Sequence, residues 1–315
     1  MLKELMIPAD SLYYSVFSGW NRYHLTGGQY RWMNDVQYPE VQNLAAAERF
    51  HIRPLHGIFH PASQVFLTEH ILPEGFIHPV DIAAKPETAA EYVCVYRNLP
   101  VSQLQSLGDF TEQRNVAEEP EDARRAQRFA HRILTDAAGF YHCGYAYYGW
   151  DADSVYSSVN GERLYYDECS GTGMAEPQHP FPAADKAKLY CDPFQLQYGE
   201  DLDYFGMIVL LFYVLIGRFP YDGRLMDGIG AATAREQAAW YDAYRKNCIF
   251  IFDPENSINS IGTFASEEKF RQRWALLPAD VKAVFTEVFT GRRTGNKLTP
   301  APDELLRRCA FFRGE

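Results

Sequence analysis

Carboxylates are the side chains in this 315-residue chain that could do chemistry, and those at Asp151, Asp153, Asp167, Asp201 and Asp203 stand out by their surroundings. Asp151 and Asp153 share an aromatic loop with Tyr145, Tyr147, Tyr148 and Trp150. Asp167 ends the segment that follows. There, Val155-Tyr156-Ser157-Ser158 and Arg163-Leu164-Tyr165-Tyr166 flank Asn160-Gly161, a strong hairpin signal. Asp151 and Asp153 also read as turn residues bonding local backbone, and Asp167 as a polar strand end. The ring cluster reads as packing, or as a cover over a cleft. A second acidic pair, Asp201 and Asp203, opens the run DLDYFGMIVLLFYVLIGRFPYDG. Its apolar part is too short for a membrane span, which needs ~20 residues, so it reads as a helix at the centre of a large domain. Carboxylates at its start suit the helix dipole and can cap free amides.

Thiol and metal chemistry find little support. The six cysteines, Cys94, Cys143, Cys169, Cys191, Cys248 and Cys309, form no C-x-x-C pair. They read as reduced thiols and place the chain in the cytoplasm. The net charge of −11, with no Lys/Arg-rich stripe, argues against nucleic acid as the partner. Arg124, Arg125, Arg128 and Arg132 read as the exposed side of one helix. Neither a signal peptide's apolar core nor a bilayer-spanning segment is found, so no membrane insertion is expected. With 47% hydrophobic residues, the chain can bury a full core.

The elements that must position these groups follow from the pattern. Leu12 to Phe17, Arg22 to Leu25, Pro54 to Phe59, Val65 to Thr68 and Tyr92 to Tyr96 have strand character. Gly27-Gly28 marks a hairpin turn. Pro39 to Phe50 reads as a helix with Val41, Leu44, Ala45 and Ala47 on one face. Val101 to Leu107 reads as a short helix. Glu118 to about Tyr141 reads as a long amphipathic one, burying Phe129, Ile133, Leu134 and Ala137. Further helices are expected at Ala232 to Asn247, Pro278 to Thr290 and Pro302 to Phe311, and a loop at Pro177 to Pro193. The plan is α+β: a β-rich part over residues 1–96, then a helical part over 97–315 with an embedded hairpin at about 155–167.

Asp-x-x-x-x-Gly, an apolar helix and Gly-Arg-x-Pro-Tyr resemble the central helix of the protein-kinase C-lobe. The order of elements from Pro39 to Phe312 resembles the family too. The resemblance implies a bilobal fold with a small β-rich N-lobe and a larger helical C-lobe. His142-Cys143-Gly144 matches the end of the family's long helix. The catalytic His-Arg-Asp then falls on Tyr147-Tyr148-Gly149, the metal-holding Asn on Ser154, and Asp-Phe-Gly on Asp167-Glu168-Cys169.

In that register the chemistry is missing. Gly149 has no carboxylate to orient a hydroxyl. Ser154 offers Mg²⁺ only a hydroxyl. There is no lysine between Lys3 and Lys85, and no G-x-G-x-x-G. Arg22 or Arg31 could contact phosphates, with Arg's different geometry. Glu40 or Glu48 matches the helix Glu without a Lys to pair. Ala-Pro-Glu falls on Asp192-Pro193-Phe194, so Arg292 or Arg293 lacks its carboxylate.

The resemblance implies a pseudokinase with no catalytic residue, acting as a protein-binding scaffold or allosteric regulator. No cofactor is expected; residual ATP and Mg²⁺ binding would use Asp167, Asp153 and Asn98, with Asp167 as the metal ligand. The alternative is an atypical metal-dependent phosphotransferase or nucleotidyltransferase on the same fold, using Asp167 with Asp151 or Asp153. Ile249 to Pro254, Trp274, Leu277-Pro278, Val281, Phe285 and Phe289 resemble the C-terminal part of some bacterial kinase-like proteins. That implies a protein partner such as a phosphatase or a von Willebrand A-type module.

Overall fold

A computed structural model describes residues 12–18, 20–31, 37–54, 75–86, 92–99, 103–147, 149–158, 161–167, 173–174, 189–190, 192–193, 200–230, 233–261, 264–294 and 299–314. The chain divides into two compact units, Met1–Leu104 with Asp167–Ser170 and Gln105–Tyr166 with Gly171–Glu315.

Strands β1 (Leu12–Ser15), β2 (Arg22–Arg31), β3 (Gln37–Asn43), β4 (Arg49–Pro54), β5 (Asp81–Ala84) and β6 (Tyr92–Arg97) build the first unit. They close into a barrel in the order β1-β2-β3-β4-β6-β5, every pair antiparallel. Tyr13, Tyr23, Val41, Phe50, Ile52, Ala83, Val93 and Val95 fill its core. Side chains alternate along a strand. Phe50 and Ile52 of β4 therefore face this core, while His51 and Arg53 face the other way, opposite Tyr96 and Cys94 of β6. His51 and Arg53 are nevertheless buried.

Asp81 closes the barrel. Its carboxylate accepts hydrogen bonds from Ser15 Oγ at 2.8 Å and Tyr23 OH at 2.7 Å. It also accepts from the Ile82 amide at 2.8 Å and Asn21 Nδ2 at 3.4 Å. One buried acid thus joins β1 and β2 to β5.

Two expectations are corrected here. Pro39 to Phe50 is not a helix but the hairpin of β3 and β4, pairing Glu40 with His51 and Val41 with Phe50. Asn43 decides it. Its Oδ1 accepts from the Ala45 amide at 2.8 Å and the Ala46 amide at 3.3 Å, and Ala47 takes φ 57°. An Asn side chain offers the backbone this alternative to helical bonding. Gly27-Gly28 is not a turn either. Both glycines lie inside β2, where its pairing with β3 shifts register between Leu25 and Gln29, and Gly27 has φ 75°. A glycine in a strand interior often marks such an irregularity. The chain instead reverses after β1, where Ser15 Oγ accepts from the Ser18 amide at 2.9 Å and Ser18 Oγ from the Asn21 amide at 3.2 Å. The strands expected after Pro54 lie outside the described residues, as do Gly19 and most of the loop at Pro177 to Pro193.

The expected helix at Val101 to Leu107 is instead a strand, β7 (Leu104–Ser106). Ser106 then caps α1 (Leu107–Val116), its Oγ accepting from the Asp109 amide at 2.9 Å. In the second unit α2 (Asp122–His142) buries Phe129, Ile133, Leu134 and Ala137 completely, as its periodicity requires. Strands β8 (Tyr145–Ala146), β9 (Val155–Ser158), β10 (Leu164–Tyr166) and β11 (Gly173–Met174) follow; β9 pairs with β10, Tyr156 opposite Tyr165.

Helix α3 (Glu200–Ile216) is buried nearly all round, as a short wholly apolar helix must be. The unit's later helices are α4 (Ala234–Asn247), α5 (Glu268–Leu276), α6 (Ala279–Thr294) and α7 (Pro302–Arg308); α1, α2, α5 and α6 pack against α3, and α7 packs on α2. Phe212 packs edge-on against Phe250, Phe285 and Phe289. The last carbonyls of α3 are bonded: Val214 and Leu215 accept from Arg114 Nη1 at 3.1 Å and Ile216 from Arg273 Nη1 at 2.9 Å. Glu118 joins the two arginines, 2.7 Å from Arg114 and 3.1 Å from Arg273. Two cations at a helix C-terminus also answer its dipole. No helix among the described residues is long and apolar enough to cross a membrane.

Asp81→Ala strips the acceptor from Tyr23 OH and Ser15 Oγ and should cost about 2–4 kcal/mol in urea unfolding. An unchanged midpoint would remove Asp81 from its role in closure.

Candidate functional site

In the second unit, the loop between β8 and β9 carries Gly149, Asp151, Asp153 and Ser154, all singled out in the sequence. Asp203, at the start of α3, reaches back to it: its carboxylate accepts from the Tyr147 amide at 2.7 Å and from the Tyr141 hydroxyl. Asp201 accepts from the Thr299 amide at 2.9 Å. These two acids tie other segments to the helix start. Tyr147 is thereby fixed and fully buried. Its ring meets Trp150 at 4.9 Å and Tyr166 at 5.8 Å, both edge to face. The aromatic loop is core packing at Tyr147 and Trp150; Tyr148 lies outside the described residues.

That packing decides what Gly149 can hold. A Cβ placed there would stand 2.8 Å from Tyr147 Cζ and 3.1 Å from its hydroxyl. The space of a side chain at Gly149 is already filled by a ring. Two residues on, Asp151 begins a turn that includes Asp153 and Ser154. Asp151 Oδ1 accepts from the Asp153 amide at 3.1 Å and the Asp151 carbonyl from the Ser154 amide at 3.0 Å. This is the local bonding expected of turn residues.

In the first unit, a chain of polar bonds links Asn98 to Asp167. Arg53 Nη1 donates to Asp167 Oδ1 at 3.2 Å, and Arg53 Nε donates to His51 Nε2 at 3.1 Å. With Nε2 accepting, His51 carries its proton on Nδ1 and donates it to Asn98 Oδ1 at 3.1 Å. Aromatic rings hold the cation: the Arg53 guanidinium lies 4.5 Å from the Tyr38 ring centre and 4.7 Å from that of Tyr96. His51 stacks on Tyr30 at 4.4 Å. Burial, then the neighbouring Arg53 charge, pushes the His51 imidazole down to about 3, so it is neutral at physiological pH. Tyr30 secures the segment beyond β6, its hydroxyl donating to the Leu99 carbonyl at 3.0 Å.

Arg53 and His51 do not stand out in the sequence: with a helix expected through Phe50 and strand character only from Pro54, the candidate cations are Arg22 and Arg31. Both arginines lie at the ends of β2, where Arg22 sits over the Tyr14 ring at 5.6 Å. The signal was the alternation Phe50-His51-Ile52-Arg53, apolar and polar in turn. Among the described residues no group of three or more His, Cys, Asp or Glu side chains could hold a metal ion. Glu168, Cys169 and Phe194 lie outside the described residues, as do the side chains of Arg292 and Arg293.

No family model matches the chain, and no curated protein matches it. Among solved structures it is similar to the PK-1 kinase of Cydia pomonella granulovirus, with a TM-score of 0.57 at 10% sequence identity. The match covers 92% of this chain and 94% of that one. The chain has a kinase-like fold, with a β-rich N-terminal region and a helical C-terminal region.

Two outcomes test the polar chain. Asp167→Ala leaves a buried guanidinium without its counter-ion and should cost about 3–5 kcal/mol; Asp167→Leu combined with Arg53→Met should recover much of that. Equal loss in both variants would count against a structural ion pair. Second, His51 has a folded pKa near 3, below its unfolded value of about 6.5. Its contribution to stability is present above pH ~6.5 and is lost as pH falls towards 3, by at most ~1.4 kcal/mol per pH unit. Urea titrations between pH 4 and 7 should show this acid slope shallower in His51→Gln.

Proposed function

We propose that this kinase-like chain works by binding a protein partner and does not transfer phosphate. One observation carries the reading: at Gly149, where the resemblance puts the family's catalytic carboxylate, Tyr147 occupies the room a side chain would need. A base that orients the attacking hydroxyl contributes ~10²–10⁴-fold in rate. No side chain at Gly149 supplies it, and none can be added without displacing a buried ring.

The donor set for Mg²⁺ supports the same reading. This ion takes oxygen ligands in near-octahedral array, with one or two carboxylates among them. The Asp167 carboxylate is engaged by Arg53, a fixed cation that repels a second one. Ser154 offers a hydroxyl in place of an amide oxygen. These residues do not fit a resident metal–nucleotide pair, and none is needed for a scaffold or an allosteric regulator. The net charge of −11 suits a partner with a basic patch, such as a phosphatase or a von Willebrand A-type module in the cytoplasm.

Arg53 also favours a second reading. It is a buried cation on a strand, of the kind a phosphate-binding site uses, and Arg binds phosphate in bidentate fashion. An atypical phosphotransferase or nucleotidyltransferase would release Asp167 from Arg53 to a metal.

Thermal unfolding with ATP and Mg²⁺ or Mn²⁺ separates the two. A nucleotide at 100 times its Kd stabilises by about 2.7 kcal/mol, a shift of several degrees. The binding reading expects no shift and no labelled phosphate on any acceptor. It also expects Gly149→Asp to lose about 1–3 kcal/mol of stability from overpacking while gaining no activity. A shift abolished by Asp167→Ala, or activity gained on installing the carboxylate, would establish the enzyme instead.

A further inference from the structure

One face of the first unit carries large apolar side chains that the barrel core does not use. Trp20, in the turn between β1 and β2, is 88% exposed. Val16 and Phe17 of the same turn are 51% and 45% exposed, and Tyr14 of β1 and Tyr92 of β6 are exposed too. Tryptophan is highly buried on average, and contiguous exposed apolar groups mark binding surfaces.

The backbone beneath them is fastened. Ser15 Oγ accepts from the Phe17 amide at 3.2 Å, and Ser18 Oγ from the Trp20 amide at 3.3 Å. The Ser15 amide donates to the Asn21 carbonyl at 3.1 Å, closing the turn. Asp81, the acid that closes the barrel, holds both Ser15 Oγ and Asn21 Nδ2. A rigid turn presents its aromatic rings without the ordering cost that a loose one incurs on binding.

The register gives this face its shape. Arg22, Tyr14, Ala84 and Tyr92 form one row across β2, β1, β5 and β6. Their neighbours Tyr23, Tyr13, Ala83 and Val93 fill the barrel core, so the row faces outward. Two tyrosines thus flank an alanine, two strand spacings or about 10 Å apart. The dip over Ala84 suits one branched aliphatic side chain. It is confined to Ala84, because Ile82, the next outward position of β5, is buried.

Charge indicates what lies on it. The chain carries −11, yet among the described residues of these four strands, the turn and Lys85 there is one carboxylate, the buried Asp81. Arg22 lies 5.6 Å from the Tyr14 ring centre, and Lys85 follows Ala84. Arg31 and Arg97 stand at the far ends of β2 and β6. Two cations beside the row are fewer than the cluster of about 4–8 that marks binding to anionic lipid. Tyrosine, tryptophan and arginine are the side chains that anchor protein interfaces. We infer that this face docks an amphipathic helix of the partner protein, with leucine-like side chains on its apolar side and acidic flanks. The inference rests on the binding reading above and assigns it a surface.

Fluorescence anisotropy tests it with a fluorescein-labelled helical peptide of leucine, glutamate and alanine, its leucines spaced i, i+3, i+4 and i+7. Counterparts carry lysine for glutamate or serine for leucine. The glutamate peptide should bind about tenfold tighter than the lysine one, and the serine one should not bind. Trp20→Ser, at a position open enough to leave the unfolding midpoint unchanged, should weaken binding about tenfold or more. Ala84→Gln, which fills the dip, should weaken it several-fold. Leu276→Ser, equally exposed but in the second unit, should not. Equal binding of the glutamate and lysine peptides, or equal weakening by Trp20→Ser and Leu276→Ser, overturns the inference. So does Trp20-dependent binding to phosphatidylserine vesicles, or Trp20-dependent dimerisation in sedimentation, without peptide binding; the occupant is then a lipid surface or a second copy. A nucleotide-dependent thermal shift sensitive to Asp167→Ala would overturn the non-catalytic reading while leaving helix binding untouched.

Discussion

A guanidinium sealed inside the first unit is the constraint to which its polar architecture answers. Arg53 is 4% exposed, and an ion taken out of water costs several kcal/mol unless it is compensated on every side. The chain supplies a counter-ion in Asp167, ring faces in Tyr38 and Tyr96, and a lone pair in His51. Each then has a consequence of its own. His51 must stay neutral to accept the bond, so its other nitrogen donates to Asn98. The barrel can carry this polar cluster only because β4 alternates, keeping Phe50 and Ile52 in the apolar core.

The second unit solves a different problem with the same reagents. Helix α3 is apolar along its length, so its stability comes from burial and its weak points are its ends. Arg114 and Arg273 bond the final carbonyls and share Glu118, while Asp203 fastens the first turn to the Tyr147 backbone. The position of Tyr147 is therefore set from the helix that forms the core. The neighbouring positions of the loop are anchored through that contact.

Long, strongly periodic elements were legible in the sequence. The amphipathic pattern of Phe129, Ile133 and Leu134 fixed one face of α2, and the apolar run fixed α3. Among the described residues, the runs flanking Asn160-Gly161 formed the expected pair of strands. The failures came where one polar side chain overruled a pattern. Val41, Leu44, Ala45 and Ala47 satisfy a helical period, yet Asn43 diverts the backbone into a turn. Gly27-Gly28 gives the same signal for a hairpin as for a bulge, and only the partner strand distinguishes them. At the candidate site, the emptiness of Gly149 could be read from its type alone. That Tyr147 fills the space could not, because it depends on Asp203, more than fifty residues away in sequence. Arg53 is hidden for the opposite reason: the alternation from Phe50 to Arg53 is that of a strand, and the helical period that ends at Phe50 masks it.

The ring lodged beside Gly149 also bears on how such a protein can change over generations. Placing an acid there first meets a collision. Shrinking Tyr147 first opens a hole in the core, and losing a large buried aromatic costs about 3–5 kcal/mol, a sizeable part of a typical domain's margin. Either order of the two steps passes through a destabilised intermediate. A chain holding this arrangement can reshape its surface more readily than this part of its core.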